Sequence, residues 1–284
     1  MPILDFCKMH ALGNDFVIIN AINTPFNLNA KQIDKLGERT TGIGFDQLLV
    51  ILPSDEIGVD FCYQIYNQDG REAGNCGNGV RCAALYIHRY KLSSKRTLHF
   101  KTKTIYMHAT ILEHDADFLN AVVKVDMGIP NFKPESLPFI ETLATKTLNN
   151  TFTLNNSDAT FSIASIGNPH AVVILDDINM IDLRPIAYAL QNHRAFPEGV
   201  NVGFMHILSR NLIKLRVHER GVGETDACGT GACAAVAVGI SSGLLDSAVE
   251  VRLQRGDLNI LWESASTPLF MTGPACFVFE GTIR

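Results

Sequence analysis

Two stretches of this chain repeat one pattern. EAGNCGNGVRCAALYI, starting at Glu72, lies over ETDACGTGACAAVAVGI, starting at Glu224, with an offset of 152 residues. Glu72 meets Glu224, Cys76 meets Cys228, Gly77 meets Gly229 and Gly79 meets Gly231. Upstream, YQIYN ending at Asn67 meets LRVHE ending at Glu219. GIGFDQ around Gly44 resembles NVGFMH around Gly203, and GND at Gly13 resembles GNP at Gly167. Four short matches in the same order, at offsets of 152 to 159, point to duplicated halves. Each half then holds a strand, a CG-x-G turn and a buried helix. A length of 284 residues fits two such units, at roughly 150 residues per domain.

Composition narrows the class. Hydrophobic residues are 46% of the chain and charged residues 19%, below the usual ~25%. Each unit can bury a core. The net charge of −5 comes with no basic block or stripe, so no nucleic-acid partner is expected. Residues 227–245 carry no charge, but they are mostly Gly, Ala, Ser, Thr and Cys. That composition suits a central helix wrapped by a sheet, and no membrane span is expected. MPILDFCKMH places Asp5 and Lys8 where a secretory leader would be apolar. A cytoplasmic protein with reduced thiols is expected.

Runs rich in Val, Ile, Thr and aromatics predict strands at 16–20, 47–52, 59–66, 97–102, 105–112 and 121–127. Further strands are predicted at 151–154, 161–165, 171–175, 202–208, 212–218, 248–253, 258–262 and 276–279. Helices are predicted at 30–40, with Asn29 as N-cap, and at 77–90, 183–193 and 229–245. Proline and asparagine clusters mark loops at 131–138 and 148–156. Many strands and few helices argue for an α+β fold over a doubly wound one. A shift near residues 114–120 marks a candidate boundary between the halves.

The CG-x-G turn carries chemistry. The cysteine sits where a loop enters a helix whose first N–H groups have no helical partner. The glycines let a ligand approach the backbone. The positive helix end can hold a carboxylate and lower the thiol's pKa from about 8.5 toward neutrality. With one such unit from each half facing a common substrate, one thiolate removes the α-proton of a bound amino acid. The other thiol returns a proton to the opposite face. No metal and no cofactor is required. A lone cysteine before a glycine turn is usually a packing residue, and the repeated context is what singles out Cys76 and Cys228. Cys7, Cys62, Cys82, Cys233 and Cys276 lie in apolar or helical runs and are read as packing. Glu72 and Glu224 are read as loop stabilisers. Asn14, Asn67, Asn168 and Asn201 recur at strand or loop ends, where asparagine is common for local reasons.

KMHALGNDFVIIN, GFDQLLV, YNQDGREAGNCGNGVRC, GNPHAVV, NVGFM, ERGVGETDACGTGACAAV and PLFMTGPA together resemble the diaminopimelate epimerase family. The resemblance runs from Lys8 to near the C-terminus. It implies interconversion of LL- and meso-2,6-diaminopimelate on the bacterial route to lysine and peptidoglycan, without pyridoxal phosphate. It also implies two similar α+β domains, each a mostly antiparallel sheet around a central helix, with the active site between them. The first would span residues 1–120, carry Cys76 and be completed by the C-terminal strand 276–284. The second would span 121–275 and carry Cys228.

By the same resemblance Cys76 and Cys228 are the catalytic pair, each thiol serving one substrate stereoisomer. Gly77, Asn78, Gly229 and Thr230 cradle the carboxylate at the reacting centre. Asn14, Gln47, Asn67, Asn168, Asn201, Glu219 and Arg220 bind the rest of the substrate. His170 and Glu219 tune the thiols. Arg220 can pair with the distal carboxylate and Glu219 with an ammonium. The resemblance implies a homodimer. In PLFMTGP, Phe270 stands where related sequences often carry Tyr, at a position linked to dimer contact.

Three rival readings remain. A proline or hydroxyproline racemase would share the two cysteines but lack the Glu219–Arg220 pair. A thiol oxidoreductase would use a C-x-x-C spacing, which is absent. A binding module would keep ligand affinity after loss of either thiol.

Overall fold

The computed structural model describes residues 4–74, 76–147, 151–154 and 160–283. Two units divide the chain: Met1–Asp126 with Thr272–Arg284, and Met127–Met271.

In the first unit the chain runs β1 (Leu4–Ala11), β2 (Asn14–Asn20), α1 (Ala30–Gly37), β3 (Gln47–Pro53), β4 (Phe61–Asn67) and β5 (Glu72–Ala73). It continues through α2 (Gly77–Arg89), β6 (Thr97–Lys101), β7 (Tyr106–His114) and β8 (Asn120–Asp126). The last strand of the chain, β18 (Phe270–Ile283), belongs here from Thr272 onward. The ladder closes on itself in the order β1, β2, β3, β4, β6, β7, β8, β18. Only β2–β3 and β4–β6 are parallel among the pairs whose register is defined. Closure leaves no bare edge.

Helix α2 runs inside this barrel against β1, β2, β3, β7 and β8, and its residues from Gly77 to Ile87 are buried. Helix α1 packs outside. Ile33 joins Val17, Ile19, Phe45, Leu48 and Val50 in an outer apolar layer. Strands β2 and β3 therefore bury both faces, which is why FVII and LLVI read as unbroken apolar runs.

The second unit holds β9 (Ala144–Lys146), β10 (Thr151–Leu154), β11 (Thr160–Ser165), β12 (Pro169–Ile174), α3 (Arg184–Gln191) and β13 (Asn201–Ser209). Then come β14 (Leu212–Glu219), β15 (Gly223–Thr225), α4 (Gly229–Ser241), β16 (Ala248–Leu253) and β17 (Gly256–Leu261). From β11 onward the pairing repeats that of the first unit. β11–β12 is antiparallel, β12–β13 parallel, β13–β14 antiparallel, β14–β16 parallel and β16–β17 antiparallel. Helix α4 packs on β11, β12, β13, β14 and β17 and is buried from Gly231 to Gly239. Outside, Phe139, Phe152, Phe161 and Phe196 form one aromatic cluster beneath α3. The α+β expectation, a mostly antiparallel sheet around a central helix in each half, is what both units show.

The ladders give the repeat its register. Phe16 pairs with Gln47 and His170 with Asn201, so Gln47 and Asn201 are equivalent. Tyr66 pairs with Glu72 and His218 with Glu224, so Asn67 and Glu219 are equivalent. The match of GIGFDQ to NVGFMH is therefore out of register. Gly203 falls level with Leu49, not Gly44, and the shared Gly-Phe is a coincidence of composition.

Other differences concern whole strands, with β1, β5, β9 and β15 absent from the expected set, and element ends. Strand β1 was not anticipated, because Lys8 interrupts its apolar pattern; Lys8 is buried there through an ion pair with Asp15. Strand β18 is far longer than the 276–279 segment. Helix α4 stops at Ser241, short of residue 245. Gly243 at φ +72° closes a Schellman motif, with Gly243 N–H on Ile240 and Leu244 N–H on Gly239. In the 131–138 loop, Pro134–Ser136 forms one 3-10 turn. Of the 148–156 loop, residues 148–150 and 155–156 lie outside the described residues, and 151–154 is strand β10.

Asn29 caps α1 as expected, in a full capping box: its side chain accepts from Gln32 N–H, and the Gln32 side chain accepts from Asn29 N–H. Asn29→Ala should lower the unfolding free energy by about 1 kcal/mol. Urea unfolding checks this, and an unchanged midpoint would remove the cap from the account of the outer layer.

Candidate active site

In the first unit the candidate residues gather at one end of the barrel. Cys76 is the N-cap of α2, in extended backbone, and its Sγ accepts the Gly79 N–H at 3.3 Å. The Tyr63 hydroxyl donates to the Cys76 carbonyl at 3.2 Å. Asn14 and Gln47 open β2 and β3, and Asn67 ends β4. Asn78 donates to Asn14 Oδ1 at 3.2 Å, and Asn14 donates to Asp46 at 2.9 Å. Gln47 donates to Asn67 Oδ1 at 3.0 Å, while its own Oε1 is buried without a partner among the described residues. Gly77 and Asn78 form the first turn of the helix.

The second unit gathers its set in the same places. Cys228 is the N-cap of α4, and Gly229 and Thr230 form the first turn. Asn168 lies just before β12, Asn201 opens β13, Glu219 ends β14, and Arg220 begins the turn into β15. Asn168 donates to Thr230 Oγ1 at 3.3 Å, and that hydroxyl lies 3.6 Å from Cys228 Sγ. His170 Nε2 lies 3.0 Å from Asn168 Oδ1. Asn201 Oδ1 accepts the Arg220 N–H at 2.9 Å, and the Arg220 guanidinium donates to the Glu198 carbonyl at 2.7 Å. Within each unit the structure brings the predicted residues together. The glycines let the helix start lie close to its strand: a Cβ at Gly79 would stand 3.2 Å from Leu49 Cδ1, and one at Gly231 3.0 Å from Val217 Cγ2 and 3.2 Å from Cys228 Sγ.

The electrostatics differ from the simple helix-end expectation. Burial pushes the Cys228 thiol well above its ordinary value, and the Glu219 carboxylate beside it pushes the same way. The Thr230 hydroxyl and the Gly231 N–H oppose this but do not offset it. The expected fall toward neutrality is therefore corrected for Cys228, which is a protonated thiol at pH 7. Desolvation of a fully buried anion outweighs the field of one helix end. His170 is buried too, and burial with the Arg220 charge holds it down to about 3. A neutral imidazole then donates through Nε2 to the Asn168 carbonyl oxygen. Among the packing cysteines, burial raises Cys7 to about 12 and pushes Cys82 and Cys276 upward. Glu72 and Glu224 are ion-paired with Lys103 and Arg216, as loop stabilisers should be.

Two comparisons place the chain among known proteins. The family profile of diaminopimelate epimerase matches residues 6–133 and 162–278. The diaminopimelate epimerase of Nitrosomonas europaea is 48% identical over 282 residues, covering 99% of this chain and 98% of that one. That of Chromobacterium violaceum is 44% identical over 281 residues, 99% of each chain. The chain belongs to the diaminopimelate epimerase family. Among solved structures, a probable proline racemase from Agrobacterium radiobacter superposes with a TM-score of 0.68 at 15% identity, covering 99% of this chain and 93% of that one. At that identity it shares the fold. Diaminopimelate epimerases are isomerases of amino-acid biosynthesis, and this chain is one of them.

Several residues at these sites escaped the sequence reading. Asp46 holds Asn14, and Arg39 bridges Asp46 to Asp15 at 2.6 and 2.9 Å. Burial raises the Asp15 carboxyl, but the hydrogen bonds from Arg39 and Lys8 more than offset it and hold it at about 2. Asp46 stands beside Gln47 in GFDQ, yet adjacency in sequence gives no sign of what the carboxylate grips. Thr225 in GETDACG donates to Glu219 at 2.6 Å. Among the described residues no group of three or more His, Cys, Asp or Glu side chains is arranged to hold a metal ion, and no helix is long and apolar enough to cross a membrane.

The buried His170 gives a pH signature. Unfolded, the imidazole takes a proton near pH 6.5; folded, it refuses one until about 3. The folded state therefore loses stability as pH falls through that window, by up to about 1.4 kcal/mol per pH unit. Urea unfolding at pH 7, 6 and 5 should show a shallower fall for His170→Gln than for the wild type. Equal slopes would remove His170 as a group buried neutral.

Proposed function

We propose that this chain interconverts LL- and meso-2,6-diaminopimelate by two-base proton exchange at one α-carbon, with Cys76 and Cys228 as the thiols and with no pyridoxal phosphate or metal. One observation carries the reading: each unit sets a cysteine at the N-cap of its central, buried helix, with strand-end amides around it. Identity of 48% over nearly the whole chain supports the substrate. The Glu219–Arg220 pair supports a substrate with amino-acid groups at both ends.

The chemistry balances without a redox step. A thiolate takes the α-proton, and the electron pair spreads into the α-carboxylate. The first-turn N–H groups at Gly77–Asn78 and Gly229–Thr230 stabilise that charge. The opposite thiol then protonates the other face, and the two cysteines have exchanged protonation states. Cys228, raised by burial and Glu219, supplies the proton. Cys76 is placed to be the base: its Sγ accepts the Gly79 N–H, and its unit ends the strand in the neutral Asn67 where the other has Glu219. The reverse direction starts from the opposite protonation. His170 acts through Asn168 and Thr230, as a neutral hydrogen-bond donor and not as a charge. Asn14, Gln47, Asn67, Asn168 and Asn201 orient the substrate, and the unpartnered Gln47 Oε1 offers an acceptor to an ammonium.

An odd number of cysteines, seven, suits a reducing cytoplasm. We place the enzyme there as a homodimer, with Phe270 giving the contact an apolar ring and no hydroxyl.

Cys76→Ala and Cys228→Ala should each lower epimerisation by at least about a thousandfold while the fold survives, since each removes one base of a pair. Circular dichroism with a coupled assay measures both, and near-wild-type turnover from either variant sinks the two-base assignment. In heavy water, LL-diaminopimelate should acquire deuterium at the α-carbon as it turns over. Proline and hydroxyproline, run beside it, should not exchange; exchange with them alone would transfer the reading to a proline-type racemase. Ligand binding without exchange would leave a binding module.

A further inference from the structure

The β14–β15 hairpin carries a feature of the second unit that the first lacks. Glu219 ends β14 and faces Gly223, where a φ of +106° calls for a glycine. Two positions on, Val217 faces Thr225, so Thr225 stands on the same face as Glu219. The Thr225 hydroxyl donates to Glu219 Oε1 at 2.6 Å. The negative charge of the same carboxylate helps to keep the Cys228 thiol protonated.

The first unit supplies an internal control. Ile65 faces Ala73 and Tyr66 faces Glu72 there, in the register of Val217 with Thr225 and His218 with Glu224. The apolar position stays apolar, Ile65 against Val217, and the glutamate stays glutamate, Glu72 against Glu224. On the face that carries the strand-end residue, Asn67 becomes Glu219, Ala73 becomes Thr225 and Arg71 becomes Gly223; on the opposite face Tyr66 becomes His218. The hydroxyl stands in the half where the strand ends in a carboxylate. In the other half an amide ends the strand, and Gln47 from β3 holds it instead. Packing of the hairpin does not require the hydroxyl, since alanine fills the equivalent place.

We propose that Thr225 is a positioning residue for Glu219: its hydroxyl holds Oε1 and so sets the pose in which the carboxylate meets a substrate ammonium. The inference rests on the epimerase reading of the same site. A carboxylate free to rotate would hold an ammonium in several poses. With one oxygen pinned, a single pose remains, and the orientation is set before substrate arrives. The donated hydrogen bond also favours the ionised carboxylate.

The test compares Thr225→Val, Thr225→Ser and Glu219→Gln with wild type, alone and in the T225V/E219Q double variant, using α-hydrogen exchange on diaminopimelate. T225V should lower kcat/KM by about ten- to a hundredfold, the range for a hydrogen bond to a charged group, mostly through KM. The acidic limb of its pH profile should move to higher pH. T225S should restore both. In the E219Q background T225V should add less than about a twofold loss, because the hydroxyl then has no anion to hold. A wild-type pH profile and KM in T225V would overturn the proposal, as would an equal loss in both backgrounds. If T225V does not fold, Thr225→Ala against T225S makes the same comparison. Should wild type itself fail to exchange the α-hydrogen, the epimerase reading fails; normal wild-type exchange with an unaltered T225V fails this inference alone.

Discussion

The N–H groups at the start of a buried helix, which have no partner within the helix itself, organise this protein. A helix inside a sheet cannot leave its first turn to water along its length, so its N-terminus must open at an end of the sheet or find acceptors. Helices α2 and α4 both begin at a cysteine with a glycine-rich first turn, and at α2 the sulfur accepts the Gly79 N–H. Sulfur is a weak acceptor, and the glycines add no side chains to cover the remaining N–H groups. What results is a pair of donor sets held rigidly by strands that bury both faces. Everything assigned to the sites depends on that rigidity: the strand starts carry Asn14, Gln47 and Asn201, the strand ends carry Asn67 and Glu219, and register places each beside its helix end.

The two units show how one design was made to do two things. In the first, the strand end is an amide, held by Gln47, and Cys76 accepts the Gly79 N–H. In the second, the strand end is a carboxylate, held by Thr225, and Cys228 is buried beside it. The two thiols therefore sit in unlike fields although their local sequences match. On the two-base reading proposed above, one thiol starts protonated and the other ionised, and the unlike fields favour the proton on Cys228. The duplication supplies matched geometry, and the substitutions at Asn67/Glu219 and Ala73/Thr225 supply the asymmetry.

Much of the fold was legible because the periodic signals were strong. FVII and LLVI announced strands buried on both faces, Asn29 announced a helix start, and the uncharged run before Asp246 announced a helix enclosed on all sides. Strand β1 was not legible, since a lysine in its middle is intelligible only once Asp15 lies against it. The end of α4 was missed by four residues, where Gly243 turned the chain. The false match of GIGFDQ with NVGFMH shows the limit of short identities: the ladder, not the letters, sets which residues are equivalent.

By itself the sequence determined the duplication, the two CG-x-G helix starts, the fold class and, through its resemblance to a family, the substrate to expect. Those are carried by local spacing and by residue types that few other arrangements use. The tertiary structure decided which side chains hold which. Asp46 on Asn14, Thr225 on Glu219, and His170 reaching Cys228 through Asn168 and Thr230 are contacts between separate segments. It also decided the protonation of Cys228 and His170. A helix N-terminus can be read from sequence, but the desolvation that opposes it depends on every segment packed around the group.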